Sequence, residues 1–485
     1  MIHTKKLWLF LRSRLTLIVI ALLCELLYLY CFVRPFPLLS YYQNLTDMGN
    51  ITGNSRAGFF LYVLPFTVLF ALVGFAWWEV RYLRDKATLW LILGFGLLFT
   101  ITMAFVYPVT AIDVFGYIVQ SLILIQHHAN PMITPASTFP NDSTMYLAGG
   151  WANAGSPYGP LGILVDAIPT WLAGRNLLIN LLLLKLLFSA LLLLEAYLIY
   201  IILSTYAPQL ALAGALFIAW NPQALFEYSA NSHNDVVLML FVLLAILALT
   251  KERHLLAFGL LVASVLFKYT TAPLVPLFFI YSFTRQPNWS LRLRYAGLAI
   301  GIGLGMVAIA FAPFWAGPTM FQNFLDQDNQ YISSFSNLLA EAIQIPFDQA
   351  KLSGRIVFGI CYLGALYLCT RNLQGLLWSG FIALFCFLGF ASGKFEAWYT
   401  LWPMLLAILL PNIVTAIAML LFAYGAALLH AIFAYLWVWS GRSGPMFETV
   451  NTLSYLVAFA PALLLLTIYL LKKVLPAMPG KSEPS

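Results

Sequence analysis

The chain has 485 residues, 62% of them hydrophobic and 9% charged, against roughly 25% charged in an average soluble domain. So little charge cannot cover a soluble surface of this size, which leaves a polytopic membrane protein and excludes disorder, nucleic-acid binding and a secreted disulfide scaffold. The net charge of +7 comes from basic residues gathered at loop ends, where a topology signal places them.

The start, MIHTKKLWLFLRSR, runs into an apolar stretch from Leu15 to Val33 with no small-residue cleavage pattern. It reads as an uncleaved first span, not a removable signal peptide. A span needs about 20 apolar residues. Further stretches of that kind lie at 57–78, 87–107, 177–203, 295–315, 355–371, 374–391, 413–437 and 451–471. Shorter apolar segments lie at 209–221, 236–250, 256–267, 271–283 and 398–410. The expected fold class is therefore all-α: a polytopic transmembrane helical bundle of about 13–14 helices, some short or broken. The cysteines Cys24, Cys31, Cys361, Cys369 and Cys386 all sit in apolar runs without CxxC spacing, so neither disulfides nor a zinc site is suggested.

Lys and Arg in short loops set orientation. With the N-terminus in the cytoplasm, the inside loops hold Lys5, Lys6, Arg12, Arg14, Arg81, Arg84, Lys86, Lys251, Arg253, Arg285, Arg292, Arg294, Arg371, Lys472, Lys473 and Lys481. Most of the 25 basic residues then lie inside, and both termini are predicted to be cytoplasmic. Few acids accompany them: Glu79, Asp85, Glu252 and Glu483. Asp113, Asp142, Asp166, Glu227, Asp235, Asp326, Asp328, Glu341, Asp348 and Glu396 fall outward or at the outer boundary, as do the cations Arg175, Lys268, Lys351, Arg355 and Lys394. Two outer loops, about 108–176 and 316–354, are long enough to carry function.

The first loop opens YPVTAIDVFGYIVQSLILIQHHANP. Asp113, Tyr117, Gln120 and His127 follow helical spacing along one stripe, with Val114, Ile118, Leu122 and Ile125 opposite. This predicts an interfacial amphipathic helix with its polar face toward the loop. Asp113 is also a good N-cap, and the two roles are compatible. The loop closes with SPYGP, Ser156 to Pro160, a rigid turn bearing Tyr158. Asp142 reads as a solvated loop acid. In WNPQALFEYSANSHND, Glu227, His233, Asn234 and Asp235 stand directly before an apolar helix. There they cap the helix or bind a polar head group. Lys268, in LFKYTTAPLVPL, sits between two short apolar stretches whose far ends border basic loops. A lysine at such a break is a functional candidate by default. Lys394, Glu396, Trp398 and Tyr399 form a further cationic and aromatic boundary, and Arg355 follows the second loop. Lys185 and Glu195 lie within a span, ten residues apart, so they do not share a helical face.

The order of these motifs carries a resemblance. DVFGY, the Asn130-Pro131 dipeptide, SPYGPL, NSHND before a helix, KYT and the Trp-Tyr-rich boundary follow one another through roughly residues 85–410. This order resembles the bacterial GT-C superfamily of integral-membrane glycosyltransferases. Within it, the chain is most similar to the polyprenol-phosphate-mannose-dependent α-mannosyltransferases. The resemblance implies an N-terminal hairpin (1–86), a catalytic membrane module (87–410) and C-terminal helices with a tail (411–485). It implies transfer of a hexose, with mannose the implied sugar, from a polyprenyl-phosphate-linked donor to a glycan or glycolipid acceptor at the outer face. Asp113 matches the catalytic Asp by position and would act as general base in an inverting transfer. Lys268, then Arg355, would offset charge on the leaving phosphate. Tyr117, Gln120, His127, Tyr158, His233, Asn234, Asp235, Lys394 and Trp398 complete the expected substrate-binding set. No cofactor and no metal is expected, since the first loop lacks a paired-carboxylate motif. The partners are the lipid-linked donor, the acceptor and membrane lipids, with no nucleic acid. A secondary transporter or lipid-linked sugar flippase is the rival reading. It would favour related halves with matching broken helices, which the sequence does not display.

Overall fold

A computed structural model describes residues 13–327, 331–442 and 444–474. Lys5, Lys6, Arg12, Lys481, Asp328 and Glu483, used above to set orientation, lie outside the described residues. The described chain is all-helical apart from isolated bridges, Pro37 with Val106 and Ile332 with Lys394. Among the described residues, 9 helices are long and apolar enough to cross a membrane. They are Arg14–Val33, Arg56–Val80, Lys86–Ala104, Leu177–Tyr206, Trp289–Phe311, Phe347–Leu368, Leu373–Ala391, Ile413–Trp439 and Met446–Lys472. Each overlaps one of the nine long apolar stretches. The protein is an all-α, multi-pass membrane protein.

Most long helices begin at a residue whose side chain closes the first turn. Ser55 accepts from the Gly58 amide, Asp85 from Thr88, Asn176 from Ile179, Asn288 from Leu291 and Asn372 from Gly375. This satisfies donors that have no partner within the helix. The helices that carry Asp113 and Asp235 begin without such a bond. The Asp113–Ile125 helix is capped by Ile112 and the Asp235–Leu249 helix by Asn234, and neither cap makes a side-chain bond. The cap readings of Asp113 and Asp235 are thereby corrected. Each acid is the first helical residue, and its carboxylate is turned to other partners.

The shorter apolar helices build the interior. Asp235–Leu249, His254–Phe267, Leu274–Arg285 and Ala397–Ile408 have 15, 14, 12 and 12 residues. At 1.5 Å per residue they reach about 18–22 Å, short of a hydrocarbon core of about 30 Å. The chain turns back at their ends, and Lys268 stands at one such turn, between His254–Phe267 and the 3₁₀ turn Tyr269–Thr271. Two long helices are peripheral: in Trp289–Phe311 only Tyr295, Ala299 and Phe311 are buried, and in Phe347–Leu368 only Ala350, Gly354 and Ala365. Their exposed leucines and isoleucines face where lipid would lie.

The buried charges within spans have structural partners or none. Lys185 donates to the carbonyls of Val106 (2.9 Å), Ser229 (3.4 Å) and Ala230. It thus ties off the end of the π-helix Leu225–Ala230 and pins it beside the first loop. Glu195 is fully buried, and neither carboxylate oxygen has a hydrogen-bond partner. The two form no relay.

Candidate active site

The two long loops meet over a cavity. From the first loop, the helix Asp113–Ile125 presents Asp113, Gly116 and Tyr117, and the closing turn presents Gly155, Pro157 and Tyr158. From the second loop comes Phe324, whose ring stands 4.8 Å from that of Tyr269. Asn323 secures the junction by donating to the Met132 carbonyl at 3.1 Å. Lys268, Lys394, Trp398 and Tyr399 complete the wall, with Trp151 beside Lys394. The cavity holds about 130 Å³.

Packing around the SPYGP turn places Lys268. Gly159 donates to the Phe267 carbonyl at 3.0 Å, one residue before the lysine. A Cβ on Gly159 would stand 2.0 Å from the Leu266 oxygen, and one on Gly162 2.7 Å from the Phe267 oxygen. Only glycine lets the turn approach the broken helix this closely, which sets Tyr158 against Lys268 with ring and ammonium 5.5 Å apart. Ser156 fastens the other side by donating to Gln120 Oε1 at 2.9 Å. Gly159→Ala should therefore cost about 1–3 kcal/mol, the usual price of overpacking, and lower the melting temperature in detergent. Gly116→Ala should melt as wild type, because a Cβ there meets nothing within 4 Å.

Lys268 is held by charge as well. Its Nζ donates to both oxygens of Asp235, at 2.9 and 3.0 Å, and Asp235 also accepts from Trp402 Nε1 at 2.8 Å. The rings of Tyr399 and Trp402 lie 5.1 and 5.6 Å from the ammonium. An ammonium has three donors, so the Asp235 contacts leave one for the cavity. Lys394 pairs with Glu396 at 2.9 Å. Opposite these cations, the Asp113 carboxylate is partly open to the cavity. Burial pushes its pKa up to about 6, against the lowering pull of Lys394 and Lys268. Asp166 accepts from Asn234 Nδ2 at 2.8 Å, and burial raises it to about 7.

Behind Asp113 lies a line of buried groups. His233 is fully buried and stacks on Trp398 at 3.8 Å. Its Nδ1 is 3.6 Å from Asp113 Oδ2 and its Nε2 is 3.4 Å from Glu227 Oε2. Burial, then the nearby Lys268, holds its pKa well below the usual range. Glu227 accepts from Gln223 at 3.0 Å, Asn231 at 2.9 Å and His430 Nε2 at 2.8 Å.

Of the expected residues, Asp113, Tyr117, Tyr158, Lys268, Lys394 and Trp398 line the cavity. Gln120 braces its turn, and His233, Asn234 and Asp235 stand directly behind. Three expectations are corrected. His127 does not share the Asp113 stripe, because the helix ends at Ile125 with Gln126 as cap. Its ring instead stacks on Phe139 at 3.8 Å and bonds Asp142 at 2.9 Å. Asp142 is consequently not a solvated acid: it is 5% exposed and also pairs with Arg175. Arg355 is an exposed residue of Phe347–Leu368 and is not among the cavity-lining residues. Glu227 was legible in its motif, but its partners His430, Asn231 and Gln223 were not assigned, nor was Trp402 as the partner of Asp235. The available signal for His430 was a lone imidazole in an otherwise apolar span. Among the described residues, no three His, Cys, Asp or Glu side chains gather to hold a metal ion.

An all-helical membrane bundle enclosing a carboxylate, two ammonium groups and an aromatic wall defines a class of integral-membrane protein with a polar, loop-covered site. The family model described as alpha-(1->6)-mannopyranosyltransferase, N-terminal domain, matches residues 40–284, and the chain belongs to this family. The match takes in Asp113, the SPYGP turn, the Glu227–Asp235 segment and Lys268. The chain is also similar to alpha-(1->6)-mannopyranosyltransferase A of Corynebacterium glutamicum, 24% identical over 176 residues. That similarity covers 36% of each chain, so it spans about a third of the relative's length.

Proposed function

We propose that the protein is a GT-C-type mannosyltransferase, moving a mannosyl group from a polyprenyl-phosphate-linked donor to a glycan or glycolipid acceptor at the outer face of the membrane. The observation that carries this reading is the cavity that sets the Asp113 carboxylate against Lys268 and Lys394. Asp113 takes the proton from the acceptor hydroxyl as its oxygen attacks the anomeric carbon. The bond from that carbon to the phosphate oxygen breaks, and the lipid phosphate leaves with one more negative charge. Lys268 uses its remaining donor to hold that phosphate. Lys394 stands second in place of Arg355. Trp151, Trp398 and Tyr399 supply the flat apolar faces on which a sugar ring can lie. The family membership and the mannopyranosyltransferase name of the relative support the sugar. Purified protein in liposomes should transfer mannose from polyprenyl-phosphate-mannose to an α-mannoside acceptor. No transfer from that donor, with transfer from a nucleotide sugar, would overturn the reading.

The excess of Lys and Arg in the short loops of the opposite side supports an outward position for 108–176. A cysteine at Asn141, on the rim of that loop, should react with a membrane-impermeant thiol reagent in intact cells. Labelling only after lysis would reverse the topology and remove the outer-leaflet donor.

A further inference from the structure

The line behind Asp113 ends in a second cavity. Asp113, His233, Glu227 and His430 follow one another at 3.6, 3.4 and 2.8 Å. His430, on the helix Ile413–Ala431, lines a separate cavity of about 220 Å³ with Asp47, Thr110, Trp437 and Arg442. Thr110 also accepts from Asn231, which donates to Glu227, so the same network closes on that cavity from the first loop.

A packing role explains this line poorly. His233 is completely buried, yet neither ring nitrogen has a hydrogen-bond partner. Leaving a buried polar atom unpaired costs about 1–3 kcal/mol, and an apolar ring of similar shape would stack on Trp398 without that cost. Both nitrogens instead point at carboxylates, at distances one small movement from a hydrogen bond. Catalytic hydrogen bonds are often long before substrate binds. Glu227 is fully buried and keeps three donors around a single carboxylate, one of them itself titratable.

We propose that His233, Glu227 and His430 form a proton exit path from Asp113 to the second cavity. The inference rests on Asp113 being the base. Transfer turns a phosphodiester monoanion and a neutral hydroxyl into a phosphate monoester that can carry two negative charges, and so releases one proton. Asp113 passes that proton to His233 Nδ1, and His233 Nε2–H moves onto Glu227 Oε2. The proton shared between Glu227 Oε1 and His430 Nε2 settles on the ring, and His430 Nδ1–H leaves to water in the second cavity. One proton enters and one leaves, with no oxidant or reductant. Lys268, Lys394 and His430 act on His233. Lys394, Glu396, Lys268 and Asp235 act on Asp113. Asp47 and Arg442 stand at the exit. His233, Glu227 and His430 are thus positioning residues acting through Asp113.

The test is His430→Ala in the full chain in liposomes, with imidazole or pyrazole added. Turnover should fall about tenfold or more, with donor KM near wild type and a lowered melting temperature, since Glu227 loses one of its three donors and keeps Gln223 and Asn231. Imidazole should restore it through the second cavity, whereas pyrazole, of the same shape but a far weaker base, should not. Glu227→Gln should be slowed as well and should not respond to imidazole. If His430→Ala fails to fold, His430→Gln, which keeps a donor for Glu227, should still turn over slowly. Wild-type turnover in a folded His430 variant, equal restoration by both azoles, or loss that imidazole does not restore would overturn the path. A fully active Asp113→Asn enzyme would instead overturn the base on which it rests.

Discussion

Asp113→Asn should lower sugar transfer by a factor of about 10² to 10⁴, the usual contribution of a general base, while leaving the protein folded. Asp113 is not the cap of its helix, so the amide removes no cap bond and loses only the interaction of a first-turn charge with the helix dipole, about 0.3–1 kcal/mol. It keeps the size of the side chain and the cavity wall with it. What it loses is the ability to hold a proton. Donor binding, measured with polyprenyl-phosphate, and melting temperature should stay close to wild type. The pH dependence gives a second readout. Burial raises the Asp113 pKa to about 6, and the base is the ionised form. The wild-type rate should therefore climb as pH rises through about 6 and level off above it. In the Asn variant that limb should vanish from whatever activity remains. An Asn variant that transfers sugar at the wild-type rate removes Asp113 from the mechanism, and Asp235 becomes the next carboxylate to test.

Lys268→Ala should abolish most donor binding and also destabilise the protein, for two separable reasons. Lys268 supplies the donor that faces the cavity, so its loss leaves the lipid phosphate with Lys394 alone. It also leaves Asp235, which is fully buried, with only Trp402 as a partner. Removing one member of a buried ion pair costs about 3–5 kcal/mol. The double variant Lys268→Ala, Asp235→Asn removes both charges and should recover much of the stability without recovering phosphate binding. Lys268→Arg should retain part of both, since a guanidinium can bridge carboxylate and phosphate but does not fit the ammonium's aromatic surroundings in the same way. The measurements are melting temperature in detergent and displacement of a fluorescent polyprenyl-phosphate. Normal lipid-phosphate binding by the alanine variant would move the assignment to Lys394. Equal loss of stability in single and double variants would show that the Asp235 pair is not what the lysine stabilises.

The sequence by itself determined the class and the spans. Hydrophobic length is a local property: about 20 apolar residues in a row are a membrane helix in almost any context. The break at Lys268 was equally local, because a cation between two apolar runs too short to span has few places to go. The SPYGP turn announced itself through Pro and Gly, although only the structure shows that Gly159 is needed for its approach to Leu266 and not for its backbone angles. Tertiary packing decided which charges meet. The Asp235–Lys268 and Glu227–His430 pairs join residues far apart in the chain, and no periodicity reports a contact between helices. His127 fell on the Asp113 stripe by spacing, yet the helix stopped two residues before it, and its ring turned to Asp142 and Arg175. Arg355 followed a functional loop in sequence but occupies an exposed face of a peripheral helix. A helical period predicts a shared face only while the helix continues. Which face then meets the cavity depends on packing against helices hundreds of residues away.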